Sequence, residues 1–446
     1  MKRSYAQIAQ ILFLTVSLFA TSFGQSPAPH KRKKLKDFGS SLKRLKWDPQ
    51  KNAAVQLPAA DQDLDEGDVI RIDTSLVTCE LLVLDQRGNS VTGLTADDFS
   101  IAEDGASQRV GLFLKGDNVD LPRTIVLIID YSGSQLPYLK TSVKAAKVLV
   151  DKLAPRDQMA IVTDDVELIQ DFTADKKKLK RKLDDLVEPP SVDSLLFSAK
   201  PRFGLSKQYS ALMATLNEAF TDEDVRPIVI FQTDGDEAYS LRNPVIELTL
   251  PDGLEGEALK AVKNNIARRQ ELALKNRTEF SIDDLYHAVE RSRATVYTVV
   301  PGIKLLGLPP ETQLAKMMAE QRAELDELMK KMSSDTRARL TEQFGKRGEK
   351  NELIRVAWQA QQVEKLQSVL ASVAGLTGGW TEFLETPEQA DAIYSRIFSD
   401  INQRYIVGYY PTNKEHDGKR RKIDFQVKGH PDYQVLGRRS YFAPMH

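Results

Sequence analysis

The chain has 446 residues, more than one typical hydrophobic core contains, so we expect more than one structural unit. Its 62 Lys and Arg residues nearly balance its 63 Asp and Glu residues, which gives no electrostatic case for nucleic acid as a partner. Cys79 is the only cysteine, which excludes an intramolecular disulfide.

The first 24 residues have the pattern of a secretory signal peptide. Lys2 and Arg3 precede an apolar stretch from Ile8 to Ala20, and small or polar residues lead to Gly24. The apolar stretch is short for a membrane span. We therefore expect cleavage near Gly24 and an exported protein, periplasmic or secreted, with an uncleaved membrane anchor as the alternative.

Two regions of different composition follow the signal. Residues 25–68 contain a basic cluster and then an acidic stretch without a sustained apolar period, which predicts a disordered linker. Residues 69–118 contain short strand patterns separated by turn residues such as Gln86–Asn89. This second region is predicted to be a small β-sandwich-like unit, which needs a neighbouring domain to cover its open face.

Strand and helix patterns alternate between residues 122 and 302. This alternation predicts an α/β fold with a doubly wound, mostly parallel sheet and helices on both faces. The connection after Asp234 is longer than such a fold needs, and the helical pattern of Glu255–Leu274 predicts an insertion at about 240–280. The predicted strands are Thr124–Ile129, Met159–Val162, Pro227–Gln232 and Ala294–Val300.

Oxygen-bearing side chains follow two of these strands. Asp130, Ser132 and Ser134 come directly after one apolar run, and Asp234 comes after another. The carboxyl ends of parallel strands share one edge of a sheet, where open α/β sheets bind ligands. Carboxylate and hydroxyl oxygens are ligands that Mg²⁺ takes in proteins, so this edge is a candidate metal site.

A third loop offers another hydroxyl to the same edge. Ser206 lies shortly before a predicted helix that begins at Tyr209. Taken alone, Ser206 is typical of a helix cap and Asp234 of a turn, but three oxygen clusters at one edge favour a metal site. Ser210 and Ser198 are the alternatives to Ser206 as the hydroxyl from this part of the chain.

The D-x-S-x-S segment at 130–134, the loop before the helix and the Asp-Gly pair at 234–235 resemble the metal-ion-dependent adhesion site of von Willebrand factor type A domains. The resemblance implies a bound Mg²⁺, or Mn²⁺ or Ca²⁺ in its place, whose octahedron is completed by a carboxylate of a protein partner. Where the family has a threonine, this chain has Ser206. The implied metal-site residues are Asp130, Ser132, Ser134, Ser206 and Asp234.

The resemblance extends beyond the site. The segments V-T-G-L at 91–94, Y-I-V-G-Y-Y-P at 405–411 and R-R-S-Y-F-A-P at 438–444 resemble exported bacterial VWFA-related proteins of acidobacterial type. The resemblance implies a domain plan, with a β-rich unit beside the A-like domain, and leaves the biological role open.

The last third of the chain adds helices. Between residues 308 and 350, Leu and Met recur at three- and four-residue spacing from Leu314 to Met332, which predicts an amphipathic helix running towards Leu340. It is either an arm that binds a partner or another copy, or a hairpin packed on its own sheet. Residues 351–410 are predicted to supply the last helices and strand of the A-like domain, and residues 411–446 strands that complete the β-rich unit.

The sequence lacks the motifs of the common enzyme classes. Its five histidines form no H-E-x-x-H pattern, and there is no Walker loop or G-x-S-x-G segment, so we expect no enzyme. The predicted function is that of an exported binding protein that uses a divalent ion to engage an acidic group on a protein partner. The alternative is a structural or assembly protein of the cell envelope, with a vestigial metal site, that binds through the helical insertion.

Overall fold

The computed structural model describes residue 35 and residues 37–57, 76–116, 122–187, 206–220, 226–244, 246–330, 332–334 and 349–444. The predicted signal peptide, Ser198 and the stretch that leads to Leu340 lie outside these residues. The helices and strands, in chain order, are α1 (Ser40–Lys43), β1 (Leu45–Asp48), β2 (Ala53–Gln56), β3 (Val77–Leu84), β4 (Phe99–Glu103), β5 (Ala106–Gln108), β6 (Val110–Lys115), β7 (Arg123–Ile129), α2 (Leu139–Asp151), β8 (Gln158–Thr163), β9 (Leu168–Thr173), α3 (Lys176–Asp184), α4 (Gln208–Glu218), β10 (Arg226–Gln232), α5 (Gly256–Lys275), α6 (Ile282–Arg291), β11 (Thr295–Pro301), α7 (Pro310–Lys330), α8 (Glu349–Leu376), β12 (Thr381–Leu384), α9 (Ala390–Gln403), β13 (Tyr405–Tyr409), β14 (Arg420–Val427), β15 (Gln434–Leu436) and β16 (Ser440–Phe442).

A six-stranded sheet with the order β12-β11-β10-β7-β8-β9 forms the centre of the α/β part. Its strands pair in parallel except β8 with β9. β7, β10 and β11 are buried along their whole length, because helices cover both faces of the sheet. The predicted doubly wound, mostly parallel sheet is confirmed, and the four predicted strands end within one residue of the observed ones.

The two faces of this sheet pack against different helices. Alternate residues of β7, β10 and β11 form one core with the buried residues of α2, α3 and α9. On the other face, Tyr209 of α4 contacts Phe231 of β10 edge to face, with ring centroids 5.8 Å apart.

Two four-stranded antiparallel sheets form a second core. Their strand orders are β15-β3-β13-β6 and β16-β14-β4-β5. β14 alternates between exposed and buried residues, as a strand with one solvated face does, and its buried face joins that of β3 in a common core. The predicted β-sandwich-like unit is confirmed, and the C-terminal strands β14 and β15 pair with β4 and β3.

The assignment of residues 351–410 wholly to the A-like domain is wrong at its last strand. β13 lies between β3 and β6 in an antiparallel sheet of the sandwich. A buried strand is an apolar run in either kind of sheet, so its composition does not determine which strands it pairs with.

The prediction of a disordered linker is wrong for residues 37–57, which contain α1 and the hairpin of β1 with β2. The backbone N–H groups of Gly39 and Ser41 donate to the Glu218 carboxylate at 2.8 and 2.7 Å. The N–H of Ala54 donates to Asp284 at 3.1 Å. Since these acceptors lie far away along the chain, local composition gave no sign of the order.

Helices α5, α7 and α8 pack together beside the carboxyl edge of the central sheet. Val262 and Ile266 of α5 share a small core with Trp358 of α8, and Met317 of α7 shares another with Val356. Helix α5 lies in the insertion predicted at about 240–280, and its ends are within one residue of the predicted ones. In the part of the chain that the structure describes, no helix is both long enough and apolar enough to span a membrane.

Candidate functional site

Four loops meet at the carboxyl edge of the central sheet. Three of them follow the neighbouring strands β8, β7 and β10, and the fourth precedes α4. β7, β8 and β10 are each buried at their ends, so the sheet holds the first residue of each of these three loops in place. Polar side chains from distant parts of the chain therefore lie close together at this edge of the sheet.

The loop after β7 contains Asp130, Ser132 and Ser134. The backbone N–H of Ser132 donates to Oδ1 of Asp130 at 2.9 Å, which closes a tight turn. The hydroxyl oxygens of Ser132 and Ser134 lie 3.1 Å apart. Ser132 is buried and Ser134 is exposed, so the two hydroxyls lie between the buried end of the strand and the surface.

The loop after β10 places Asp234 against the first loop. The Gln135 amide donates to Oδ2 of Asp234 at 2.7 Å, and the Ser134 hydroxyl also hydrogen-bonds this carboxylate. Thr233 donates its hydroxyl to Oδ2 of Asp130 at 2.8 Å. The structure thus brings together Asp130, Ser132, Ser134 and Asp234, four of the five residues chosen from the sequence, through direct hydrogen bonds.

Ser206, the fifth predicted residue, lies in the same cluster by different contacts. Its backbone N–H donates to Asp164 at 3.1 Å, and its hydroxyl hydrogen-bonds Asp236. Its φ of 55° is in the left-handed region, which is uncommon for a residue other than glycine and is often found at functional sites. The alternative residue Ser210 donates both its N–H and its hydroxyl to Glu237, at 2.8 and 2.5 Å.

Gln208, the first residue of α4, reaches Asp130 with its side chain. Its amide Nε2 donates to Oδ2 of Asp130 at 2.9 Å and to Oδ1 of Asp236 at 2.8 Å. Its carbonyl accepts the N–H of Glu237 at 3.1 Å, which fixes the orientation of the amide. Gln208 therefore connects the loops after β7 and β10, a role that sequence reasoning missed because an amide is not a typical magnesium ligand.

Asp164 is a further carboxylate that sequence reasoning missed. It follows β8 directly, is fully buried, and accepts the N–H of Tyr131 at 3.0 Å and that of Ser206 at 3.1 Å. The rule that identified Asp130 and Asp234 would have identified Asp164 as well, since all three lie within two residues of the end of a strand in one sheet.

These carboxylates are crowded and partly removed from water. Burial and the charge of Asp130 raise the pKa of Asp164 to about 8. Burial, followed by the charges of Asp236 and Asp130, raises the pKa of Asp234 well above its usual range, and burial with Asp130 raises that of Asp236 to about 6. Burial is the largest cause in all three cases, and the charge of Arg269 opposes the shift at Asp236.

The donor set fits a hard divalent cation. Within the described residues, no group of three or more His, Cys, Asp or Glu side chains is arranged as a metal-binding group, so a cation here would need hydroxyl oxygens as well. The adjoining hydroxyls of Ser132 and Ser134 beside Asp234 are such oxygens, and the excess negative charge is the charge that a cation would balance.

A cavity of about 320 Å³ opens beside Ser134 and Asp234. Its other walls come from the inserted helices: Arg269 from α5, Glu320 from α7 and Trp358 from α8 are among the lining residues. The Tyr138 hydroxyl donates to Glu320 at 3.0 Å and ties α7 to the loop after β7. The inserted helices thus form one side of the site.

No protein-family model and no curated protein matches this chain. Among solved structures, it is similar to the conserved hypothetical protein BatB of Bacteroides thetaiotaomicron, at 14% identity over 62% of this chain and 98% of that one, with a TM-score of 0.31. It is also similar to a von Willebrand factor type A protein of Catenulispora acidiphila, at 10% identity over 84% and 75% of the two chains, with a TM-score of 0.29. A third similar structure is manganese-loaded TRAP protein of Plasmodium vivax, at 13% identity over 45% and 61%, with a TM-score of 0.22. At these TM-scores the fold class rests on the strand order, and the site on its own contacts.

Proposed function

We propose that this chain is an exported binding protein of von Willebrand A type, which holds a divalent cation at the carboxyl edge of its central sheet and engages an acidic group on a protein partner. The observation that supports the proposal is the crowding of Asp130, Asp164, Asp234 and Asp236 beside two adjoining serine hydroxyls, with raised pKa values for three of the four carboxyls. Such crowding costs stability unless a cation balances it.

The residues that would hold the cation are Ser132, Ser134 and Asp234, with Asp130 and Ser206 acting directly or through water. Asp130 already accepts bonds from Ser132, Thr233 and Gln208, so its main part is to orient the loop. A bound Mg²⁺ would supply positive charge and an open coordination position to an acidic oxygen. Mn²⁺ and Ca²⁺ take similar oxygen ligands and are alternatives.

The neighbouring residues hold these ligands in position before any cation binds. The Gln135 amide keeps Asp234 turned towards Ser134, and Gln208 separates the carboxylates of Asp130 and Asp236 by donating to both. A site that is ordered in advance loses less entropy when it binds its ligand. The export part of the proposal depends on the signal-like pattern of the first 24 residues.

Calorimetry of the mature chain with Mg²⁺ and Mn²⁺ tests the metal. We expect saturable binding by the wild type, loss of binding in Asp130→Ala, and wild-type behaviour in Asp252→Ala, which changes an exposed carboxylate outside the cluster. If the wild type and Asp130→Ala give the same blank titration with both ions, the metal site is absent.

The structure also gives one reason to keep the second function, an envelope assembly protein that binds through its helices with a vestigial metal site. Helices α7 and α8 lie beside the mouth of the site, where they are available to a partner. Capture of partners from envelope extracts, with and without EDTA, distinguishes the two. A partner lost in EDTA supports the metal-dependent function, and one retained in EDTA supports binding through the helices.

A further inference from the structure

The cavity beside the carboxyl edge of the central sheet is lined by several acidic side chains. Asp234 and Asp236 line it from the loop after β10, and Glu320 and Glu324 line it from α7. Among the described residues that line it, Arg269 is the only basic side chain. Four carboxylates therefore face one guanidinium in a volume of about 320 Å³, within the usual size range of sites for small ligands.

Two buried amide oxygens in the cavity wall lack hydrogen-bond partners. Gln135 is 2% exposed and Gln362 is 4% exposed, and both line the cavity. Within the described part of the chain, Oε1 of neither residue has a partner, while Nε2 of Gln135 donates to Asp234. A buried acceptor without a donor costs free energy, so the cavity wall contains two acceptors whose hydrogen bonds are unmet.

Aromatic side chains complete the wall. Tyr138, Tyr239 and Trp358 line the cavity. The indole N–H of Trp358 donates to the Thr249 carbonyl at 2.8 Å, and the Tyr138 hydroxyl donates to Glu320, so the polar atoms of these two residues are already paired. Their rings contribute surface that attracts cations.

We propose that this cavity binds an organic cation, a guanidinium or primary ammonium group, next to the proposed metal site. The carboxylates of the wall and its two free amide oxygens are acceptors, and a guanidinium supplies five N–H donors and an ammonium three. A metal ion held by Ser132, Ser134 and Asp234 would leave the aromatic wall and the amide oxygens without a role. The inference does not depend on the proposed metal function.

Two sources of such a group are distinguished by two probes. Agmatine is a free guanidinium compound, and the blocked peptide acetyl-Gly-Arg-Gly-amide presents the same group as a protein side chain. Butylurea has a similar shape without the charge and serves as the control ligand. Each is titrated into the full chain in EDTA, so that no divalent ion contributes.

We expect saturable binding of agmatine or of the peptide, and no binding of butylurea. Glu320→Gln should weaken the binding by about tenfold, since it removes one charge but keeps an acceptor for Tyr138. Glu311→Gln, at an exposed position in the first turn of α7 outside the cavity wall, should bind like the wild type. Glu324→Gln, at the exposed mouth, gives a second test if Glu320→Gln melts well below the wild type.

Added Mg²⁺ should weaken the binding of the organic cation, because both depend on Asp234. The proposal is overturned if neither charged probe binds, if butylurea binds as well as agmatine, or if both cavity variants, at Glu320 and Glu324, bind like the wild type. A chain that binds Mg²⁺ and neither organic probe retains the proposed metal function and loses this one.

Discussion

Buried carboxylates at the two edges of the central sheet have different kinds of partner. At the amino edge, Arg123 at the start of β7 donates to both oxygens of Asp157, at 2.9 Å from Nε to each. Arg226 at the start of β10 pairs with Glu80 at 3.1 Å. Near the same end of the molecule, Arg404 pairs with Asp400 at 2.9 Å. These carboxylates each face a guanidinium.

At the carboxyl edge, the carboxylates of Asp130, Asp164 and Asp234 accept bonds from amides and hydroxyls instead. Burial and the charges of neighbouring carboxylates raise the pKa of Asp164 and of Asp234 at this edge. The comparison shows that the buried carboxylates of the amino edge pair with guanidinium groups, whereas those of the carboxyl edge accept hydrogen bonds from neutral donors.

Breaking a pair at the balanced edge should give the largest effect on stability. Arg404→Met leaves Asp400, which is buried, without its cation, and we expect a loss of about 3–5 kcal/mol in the free energy of unfolding. Chemical denaturation measures the change. The double variant Arg404→Met with Asp400→Asn should recover part of the loss, and an equal loss in both variants would mean that charge balance is not the cause.

The pH dependence of stability should show the imbalance at the other edge. Because the pKa of Asp164 is raised to about 8, the folded protein keeps a proton that the unfolded chain has lost above about pH 4. In EDTA, the contribution of this group to stability should therefore fall as pH rises from 5 to 8, by roughly 3–4 kcal/mol. Asp164→Asn should flatten this decline in denaturation curves, and an unchanged slope would contradict the assignment.

A smaller effect should distinguish the hydroxyl of Ser134, a proposed metal ligand, from that of Ser210, which has a structural role. Ser134→Ala should weaken Mn²⁺ binding by about tenfold, or ~1.4 kcal/mol, and change stability in EDTA little, because the side chain is exposed. Ser210→Ala removes a buried bond to Glu237 and should lower stability without changing Mn²⁺ affinity. Calorimetry and melting on both variants check the contrast, and equal Mn²⁺ affinities would remove Ser134 from the site.

The smallest effect on stability is expected from a partly exposed ion pair. Lys147 and Asp184 pair on the surface between α2 and α3. Lys147→Met should change the free energy of unfolding by less than ~1 kcal/mol, since water screens such pairs. A loss as large as that of Arg404→Met would mean that burial is not what makes the amino-edge pairs important.

The features predicted correctly from the sequence are those that a local pattern determines. β7 and β10 are apolar runs because they are buried on both faces, and Asp130 and Asp234 meet because parallel neighbouring strands end at one edge. β9 was not predicted, since an antiparallel edge strand such as Leu168–Thr173 mixes polar and apolar residues.

Features that depend on long-range contacts were not predictable in this way. The part played by Gln208 depends on how α4 is placed against two other loops, and the order of residues 37–57 depends on Glu218 and Asp284. The cavity likewise needs Glu320 of α7 and Gln362 of α8 to meet at the sheet edge. Sequence periodicity identified these helices but not the surface against which they pack.

The pairing of β6 with β13 has a mechanical consequence. Lys115, the last residue of β6, is the register partner of Tyr405, the first residue of β13, so the chain enters and leaves the α/β part at one end of a strand pair. Tension applied at the carboxyl edge of the central sheet therefore reaches two hydrogen-bonded strands at once, and β3, which pairs with β13, shares it. The load falls on β6, an edge strand, and on β13, which lies inside the sheet, at the same time.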